Sequence, residues 1–431
     1  MTPTRKPSHA QHPAPGNPIS RRALLRSATA LAALAAIPDA AARSMRRATT
    51  RRGAGRRVAV VGAGAFGGWT ALWLQRRGAR VTLFDPWGPA NERASSAGET
   101  RVIRAMYGAD RSMVRMAASA LALWKTEEPG LGLPVLERTG ALWMSRSDDT
   151  FLRDSLPLLR DAGLPCDELT IGEAARRFPA VDFSDVRRVV FEHQAGFLHA
   201  RDACRAVVRA FVAAGGAYRQ IEVRPPAGLP GPTPLGAGLE LADGTTFTAD
   251  SYVFACGPWL GALFPDLIGE RIRPTRQEIF VFGPPPGDQR FDAPGMPVWV
   301  DLGPPIVYGV PAGGGRGFKV ADDTRGETFD PTTGNRLPSR RGLKSARAFL
   351  AHRFPALQGA TLVEADVCQY ENSPDGRFII DRHPRAERVF ILGGGSGHGF
   401  KHGPAIGELA AEMVLGEAPP DPRFSLRRLS S

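Results

Sequence analysis

The sequence is poor in the features that mark metal sites, disulfide scaffolds and membrane spans. Only four cysteines occur in 431 residues, and none forms the closely spaced Cys or His pairs of structural zinc sites. No run of about 20 apolar residues is present, which excludes an ordinary membrane-spanning helix. Hydrophobic residues make up 43% and charged residues 23% of the chain, which excludes a disordered or fibrous protein. We therefore expect a globular protein of two or three domains without a metal site.

The excess of positive charge is confined to one end of the chain. The formal net charge is +12, but residues 1–57 contain twelve Lys and Arg against one acidic residue, Asp39. Residues 58–431 carry 43 basic and 42 acidic side chains and are nearly neutral. Because a nucleic-acid-binding groove needs basic residues clustered on the folded surface, nucleic acid is not an expected partner.

The basic N-terminal segment has the organisation of an export signal. Arg21 and Arg22 precede an alanine-rich apolar stretch at residues 28–37, and three alanines at residues 40–42 offer a cleavage site. These three parts define a secretory signal, and consecutive arginines are typical of the twin-arginine route. We expect a signal peptide at residues 1–42, a linker at 43–57, and export to the periplasm or the exterior. A disordered basic tail and an uncleaved membrane anchor are the alternatives.

A dinucleotide-binding βαβ unit opens the folded part of the sequence. A strand at residues 57–61 leads into G-A-G-A-F-G at 62–67, a helix at 69–77, and a second strand at 80–84 that ends at Asp85. The first glycine makes a tight turn, the second lets the backbone approach a pyrophosphate, and the third lets helix and strand pack. The phosphates bind free N–H groups at the helix N-terminus. A terminal carboxylate can bind ribose hydroxyls. The alternative is a glycine-rich turn that binds nothing.

A second glycine-rich turn lies near the C-terminus. A strand at residues 388–392 leads into G-G-G-S-G-H-G-F-K at 393–401, and a helix follows to residue 415. Strand-like segments lie between the two turns, for example at residues 279–282 and 298–310. The sequence thus predicts an α/β protein, α+β overall: a discontinuous Rossmann-like domain with an inserted substrate domain built on a mixed or antiparallel sheet.

From residue 58 onwards, the sequence resembles the monomeric sarcosine oxidase and N-methyltryptophan oxidase group of the D-amino-acid-oxidase-like flavoproteins. The resemblance rests on the order and spacing of these blocks: residues 62–67 with Asp85, G-E-T-R-V-I-R at 98–104, Y-G-V-P at 308–311, G-F-K at 317–319, C-Q-Y at 368–370 before Pro374 and Asp375, and S-G-H-G-F-K at 396–401. It implies an FAD-binding domain at residues 58–137, 196–262 and 362–420, and a substrate domain at 138–195 and 263–361.

The resemblance also implies roles for individual side chains. Cys368 corresponds to the cysteine that bonds covalently to the flavin, and Lys319 to the lysine that promotes reaction of reduced flavin with oxygen. Arg104 and Lys401 correspond to the pair that holds the substrate carboxylate. Taken without the resemblance, Arg104 is also compatible with a surface ion pair, both lysines with solvated side chains, and Cys368 with a buried free thiol.

Further positions follow from the same resemblance. Arg101 corresponds to an arginine beside the flavin ring, and Tyr308 and Tyr370 to aromatic residues of the substrate pocket. Ala97 and Asp323 depart from histidines of the family, and the second departure argues against sarcosine itself as substrate. The remaining residues expected to contact FAD, together with Arg101, Cys368 and Lys401, are Gly62, Gly64, Ala65, Phe66, Gly67, Asp85, Ser95, Ser96, Thr100, Cys256, Gly257, Gly395, Gly397, His398 and Gly399.

The sequence therefore predicts an exported FAD-dependent oxidase of secondary amines, with N-methyl or cyclic amino acids as substrates and O2 as acceptor. The flavin performs the redox step, and the protein positions the substrate through its carboxylate. The imine product hydrolyses in water, and reoxidation of the flavin gives H2O2. The alternatives are a dehydrogenase that passes electrons to a quinone or carrier protein, a non-catalytic flavin-binding protein, and a nicotinamide enzyme.

Overall fold

The computed structural model describes residues 55–224 and 238–430. The predicted signal peptide and residues 43–54 of the predicted linker lie outside these ranges, so export stays a prediction. The strands of the described residues are β1 (Arg57–Val61), β2 (Arg80–Phe84), β3 (Thr100–Ile103), β4 (Leu136–Glu137), β5 (Ala141–Ser145), β6 (Cys166–Leu169), β7 (Arg188–Glu192), β8 (Gly196–His199), β9 (Ala217–Arg219), β10 (Leu239–Glu240), β11 (Thr246–Phe247), β12 (Ser251–Phe254), β13 (Arg273–Gly283), β14 (Val298–Leu302), β15 (Ile306–Val310), β16 (Phe318–Asp322), β17 (Thr361–Asn372), β18 (Ile379–Arg382) and β19 (Val389–Gly393). The α-helices of these residues are α1 (Ala65–Arg76), α2 (Arg111–Leu131), α3 (Thr150–Asp161), α4 (Ile171–Arg177), α5 (Ala200–Ala213), α6 (Leu260–Leu263), α7 (Arg340–Arg353) and α8 (Gly403–Leu415).

A six-stranded sheet in the order β18-β19-β12-β1-β2-β9 carries the glycine-rich turns. The strands from β19 to β9 run parallel, and β18 is antiparallel to β19. Residues 58–61 of β1 and all five residues of β19 are buried, as expected for parallel strands covered on both faces. Helix α1 packs against α5 and α8. The parallel strands end at one common edge, which is where ligands bind in sheets of this kind.

A second sheet of eight strands has the order β17-β13-β16-β15-β14-β5-β7-β6. Its pairings are antiparallel except for β5 with β14. Aromatic side chains fill its core, where Trp299 stacks on Phe318 with ring centroids 5.8 Å apart. The strand-like segment predicted at residues 298–310 is a hairpin of two strands, because Pro304 and Pro305 between them cannot donate backbone hydrogen bonds to a ladder. The parallel and mixed sheets confirm the predicted fold class.

Strand β17 differs from the predicted domain division. The third segment of the predicted cofactor domain begins at residue 362, yet β17 pairs with β13 from Thr361 to Asn372 and so belongs to the larger sheet. Its last residues nevertheless reach the edge of the smaller sheet, where Ser396 donates a backbone hydrogen bond to the carbonyl of Glu371 (3.1 Å). A long strand of one sheet that ends beside the other gives no local signal of a boundary. Within the described ranges, every helix is too short or too polar to span a bilayer.

Candidate active site

Both glycine-rich turns line one cleft at the common edge of the parallel strands. Strands β19, β12 and β1 are neighbours in the sheet, so the turns that follow them lie side by side. The predicted FAD contacts that line this cleft are Gly62, Gly64, Ala65, Phe66, Asp85, Ser95, Ser96, Arg101, Cys256, Gly257, Gly395, Gly397 and Gly399. The structure therefore brings together two segments more than 300 positions apart in the sequence.

The first turn has the geometry that a pyrophosphate requires. Gly62 has a φ of 103°, and a Cβ at this position would lie 2.4 Å from the carbonyl oxygen of Ala255. A Cβ at Gly67 would lie 1.9 Å from the carbonyl oxygen of Gly62, so this glycine serves packing and does not line the cleft. Helix α1 begins after Gly64 without a side-chain cap. Its first N–H groups are therefore available to phosphate oxygens.

Asp85 is held rigidly at the edge of the cleft. Its Oδ2 accepts a hydrogen bond from the backbone N–H of Ala63 (2.8 Å), and its Oδ1 accepts from Trp87 (2.9 Å) and Gly88 (2.8 Å). Burial raises the pKa of this carboxyl, although the three hydrogen bonds oppose the rise. Since each carboxylate oxygen has more than one acceptor position, Asp85 can still accept from a ribose hydroxyl.

Glu371 is a buried carboxyl of the cleft that sequence reasoning missed. Its side chain is 7% exposed, and Oε1 accepts a hydrogen bond from the backbone N–H of Gly395 (3.1 Å). Its Oε2 is buried and has no hydrogen-bond partner among the described residues. A buried polar atom without a partner is costly unless a ligand provides one. The cleft therefore fits a polar cofactor such as FAD. The only sequence signal was the position of Glu371 directly after Cys368-Gln369-Tyr370.

Replacing Glu371 with glutamine is expected to change how stability depends on pH. Burial raises the pKa of Glu371 from 4.5 to about 7, so the stability that this carboxyl contributes below pH 4.5 is lost as the pH rises through 7. Relative to wild type, the free energy of unfolding of Glu371→Gln should rise by up to about 3 kcal/mol between pH 5 and pH 8. Denaturant unfolding at both pH values measures this, with the exposed Glu387→Gln as control. A pH-independent difference contradicts the prediction.

Arg101 joins Cys368 and Lys319: it contacts the thiol directly and shares one backbone carbonyl with the lysine. Arg101 donates from Nη2 to Cys368 Sγ (3.2 Å) and to the carbonyl oxygen of Ser95 (3.0 Å), and from Nη1 to that of Thr100 (2.9 Å). Lys319 Nζ donates to the same Thr100 carbonyl (3.0 Å). Cys368, Lys319 and Thr100 do not line the glycine-rich cleft, but Arg101 does. One guanidinium thus connects the cleft to the thiol and the ammonium.

Lys319 is an unusually weakly basic lysine. Its side chain is 6% exposed, and burial together with the charge of Arg101 lowers its pKa to about 7. It lies 5.8 Å from the ring centre of Tyr308, whose own pKa burial raises to about 12. Lys319 also lines a second cavity of about 570 Å³, which includes the ion pair between Arg316 and Glu99 (2.6 Å). A small molecule can therefore approach Lys319 through this second cavity without passing through the glycine-lined cleft.

Arg104 and Lys401 lie over the same aromatic ring. The guanidinium carbon of Arg104 is 4.2 Å, and Lys401 Nζ 5.3 Å, from the ring centre of Tyr107. Lys401 is 3% exposed and donates to the carbonyl oxygen of His398 (2.9 Å). Burial and the charge of Arg104 hold the pKa of Lys401 well below its usual range. Two cations held this close favour an anionic ligand such as a carboxylate.

Glu192 is a second carboxyl that sequence reasoning missed. It is 1% exposed and accepts hydrogen bonds from the backbone N–H of Ala105 (2.6 Å) and from Trp143 Nε1 (3.2 Å). Burial raises its pKa, and the charges of Arg104 and Lys401 oppose that rise. In the sequence, Glu192 is only an acidic residue at the end of an apolar strand.

Tyr370 links the two groups of charged side chains. Its ring lines the glycine-rich cleft, and a Cβ at Gly397 would lie 2.6 Å from that ring. Its hydroxyl donates to Asp323 Oδ1 (2.8 Å). Asp323 in turn lies within electrostatic reach of Arg104 and Lys401. The six predicted catalytic side chains are thus gathered in one region, although only Arg101 and Tyr370 line the cleft itself.

His398 is a predicted cofactor contact that the structure turns away from the cleft. Its Nε2 donates to the carbonyl oxygen of Gly376 (2.9 Å), and its Nδ1 lies 3.1 Å from the hydroxyl of Tyr107. Burial and the neighbouring charge of Lys401 hold its pKa well below the usual range. With both nitrogens engaged, a neutral His398 orients Tyr107 under Arg104 and Lys401 together with His402, whose Nε2 lies 2.7 Å from the same hydroxyl. Lys401 does not line the cleft either.

Comparisons with known proteins agree with this geometry. The family model described as FAD dependent oxidoreductase matches residues 57–413. Monomeric sarcosine oxidase of Bacillus sp. (strain B-0618) is 31% identical over 373 residues, which cover 83% of this chain and 92% of the relative. N-methyl-L-tryptophan oxidase of Yersinia pestis (strain Pestoides F) is 28% identical over 379 residues, which cover 86% and 98%. The structure of L-proline dehydrogenase from P. horikoshii matches with a TM-score of 0.75 at 21% identity, over 88% of this chain and 98% of that one, and so shares its fold.

Proposed function

Because the chain belongs to the family of FAD-dependent oxidoreductases, we propose that it oxidises secondary amines, namely N-methyl or cyclic amino acids, with O2 as the electron acceptor. The relatives named above support amine oxidation. The observation that carries the proposal is the meeting of Arg101, Cys368 and Lys319 beside a glycine-lined cleft. An isolated dinucleotide site needs neither the thiol nor the buried ammonium.

The cofactor would be held by the residues of the cleft. The N-terminus of α1 would bind its pyrophosphate, Asp85 would accept from a ribose hydroxyl, and Glu371 would supply a further polar contact. When bound, FAD supplies the two-electron chemistry that converts the amine to an imine and reduces O2 to H2O2. Cys368 is the proposed point of covalent attachment, since its sulfur is fixed by Arg101 at 3.2 Å.

Arg104 and Lys401 are the proposed grip on the substrate carboxylate. A guanidinium offers two parallel N–H donors to a carboxylate, and an ammonium adds a compact positive charge. Holding the substrate by this end fixes the position of its nitrogen, and such positioning supplies much of the rate enhancement of a reaction between bound groups. The ring of Tyr107 and the neutral His398 hold the two cations in place.

Lys401→Met is expected to weaken binding of amines that carry a carboxylate by roughly 10- to 100-fold, the usual worth of a hydrogen bond to a charged group. Binding of amines without a carboxylate should change little, because the methionine retains most of the side-chain volume. Anaerobic titration of the flavin spectrum or the KM for each amine measures the difference. Equal losses for both kinds of amine would mean that Lys401 only supports the fold.

The experiment that tests the whole proposal is an amine panel read by peroxide release from the purified holoenzyme. We expect H2O2 from one or more N-methyl or cyclic amino acids. A protein whose flavin is bleached anaerobically by such an amine, but reoxidises only with a quinone, would be a dehydrogenase; the second cavity beside Lys319 leaves room for that acceptor. A flavin that no amine bleaches would contradict amine oxidation.

Export through a twin-arginine signal is part of the proposal. The paired arginines and the following apolar stretch support it. This route carries folded proteins, which suits an enzyme that acquires its cofactor before export. Cell fractionation of the wild-type protein and of a variant with Arg21→Lys and Arg22→Lys tests it: the wild type should leave the cytoplasm and the variant should remain there.

A further inference from the structure

Asp323 places a negative charge within electrostatic reach of the two cations of the proposed carboxylate grip. It follows β16 directly, four residues after Lys319, and its backbone N–H donates to the carbonyl of Ile306 (2.9 Å). Its Oδ1 accepts from the hydroxyl of Tyr370 (2.8 Å). That bond comes from a neutral phenol, and among residues 55–224 and 238–430 no cation forms an ion pair with Asp323 within 4.0 Å. Its negative charge is therefore not neutralised by a direct contact.

The position of Asp323 makes it accessible to a ligand. The side chain is exposed to solvent, while its partner Tyr370 lines the cofactor cleft. Although Asp323 is exposed, protein atoms surround its carboxyl closely enough to raise the pKa by desolvation, and the bond from Tyr370 and the charges of Arg104 and Lys401 oppose that rise. The site thus presents the two cations together with two carboxyls, the buried Glu192 and the exposed Asp323, within electrostatic reach. A molecule with a carboxylate and a positively charged nitrogen matches both signs.

We propose that Asp323 is a specificity-determining residue that binds the positively charged amino group of the substrate, so that the site selects zwitterions over plain carboxylates. This inference rests on the proposed function, because Arg104 and Lys401 must hold the carboxylate end. Without Asp323, two cations would attract any small carboxylate. With it, an anion that lacks a positive group is repelled by Asp323 while it gains from the cations. The carboxylate of Asp323 thereby attracts the amino group of a zwitterion and also discriminates against plain carboxylates.

The test compares two ligands of the same shape and different charge on the holoenzyme. Glycine betaine and 3,3-dimethylbutanoate share a carboxylate and a trimethyl group, but only the first carries a positive charge. Neither has an oxidisable amine, so the readout is the dissociation constant from anaerobic titration of the flavin spectrum. We expect Asp323→Asn to lower the preference for betaine over 3,3-dimethylbutanoate by about fivefold, the upper end of the range for accessible charge pairs. Asparagine can still accept the bond from Tyr370, which keeps the local structure.

Asp322→Asn is the matched control, since it makes the same change at the neighbouring exposed position, whose carboxylate accepts from the backbone N–H of Thr324 (2.8 Å). It should leave the ligand preference unchanged. If Asp323→Asn keeps the wild-type preference while both ligands still bind, the inference about Asp323 is wrong and the proposed function stands. If neither ligand perturbs the flavin of the wild-type enzyme, the carboxylate grip and the inference about Asp323 both fail, whereas amine oxidation is decided separately by the amine panel.

Discussion

Lys319→Met is expected to slow reoxidation of the reduced flavin by O2 by about 10²- to 10³-fold, the usual effect of removing one preorganised charge or donor at a site where negative charge develops. Lys319 is 6% exposed and held by the carbonyl of Thr100 at 3.0 Å, so its ammonium is preorganised at low dielectric. Methionine is close to lysine in volume, and the fold should tolerate it. Anaerobic reduction by the amine should keep its wild-type rate, because Lys319 lies outside the proposed carboxylate grip.

Stopped-flow measurement of the two half-reactions separates these effects. Lys344→Met, which changes an exposed lysine of α7, is the control and should leave both rates unchanged. The pH dependence gives a second signature. Since the pKa of Lys319 is lowered to about 7, its ammonium is lost as the pH rises, and reoxidation should slow above pH 7 in the wild type. Equal reoxidation rates in wild type and Lys319→Met would exclude this role.

Cys368→Ser is expected to abolish the proposed covalent attachment of the flavin completely. Acid precipitation should leave the yellow colour with the wild-type pellet and release it to the supernatant for the variant. Serine has nearly the volume of cysteine and can accept the same hydrogen bond from Arg101, so loss of the sulfur is the only large change. Oxygen is a far weaker nucleophile here than a thiolate, which is the reactive form of cysteine.

Cys256→Ser is the control for this prediction, because Cys256 is the cysteine that lines the cleft itself. Burial and the nearby charge of Asp85 raise the pKa of Cys256, which disfavours its thiolate. Its Sγ lies 3.5 Å from the carbonyl oxygen of Val61, and the charges that raise its pKa are the carboxyls of Asp85 and Glu371. This variant should therefore retain the flavin in the pellet. Release from Cys256→Ser, or retention in Cys368→Ser, would assign the bond to another residue.

Much of the fold and of the cleft followed from local pattern. The βαβ unit with residues 62–67 predicted the turn at β1 and the packing of α1, because a Cβ at Gly62 or Gly67 would overlap backbone atoms. The family resemblance is confirmed by the matches to known oxidases. The domain boundary at β17 was predicted less well, because a continuous strand pattern does not show which sheet the strand joins.

The amino-acid sequence alone was sufficient to predict the glycine turns, the parallel strands and the family, because these depend on residues within one βαβ unit and on the order of short motifs. It could not reveal that Glu371 and Glu192 are buried, or that His398 turns towards Tyr107 and Gly376 instead of the cleft. Those features depend on contacts between distant residues, such as Arg101 and Cys368, which are 267 positions apart. Burial and charge pairing determine which pKa values of the site are shifted and which polar atoms lack a partner. Burial and charge pairing arise only when the chain folds.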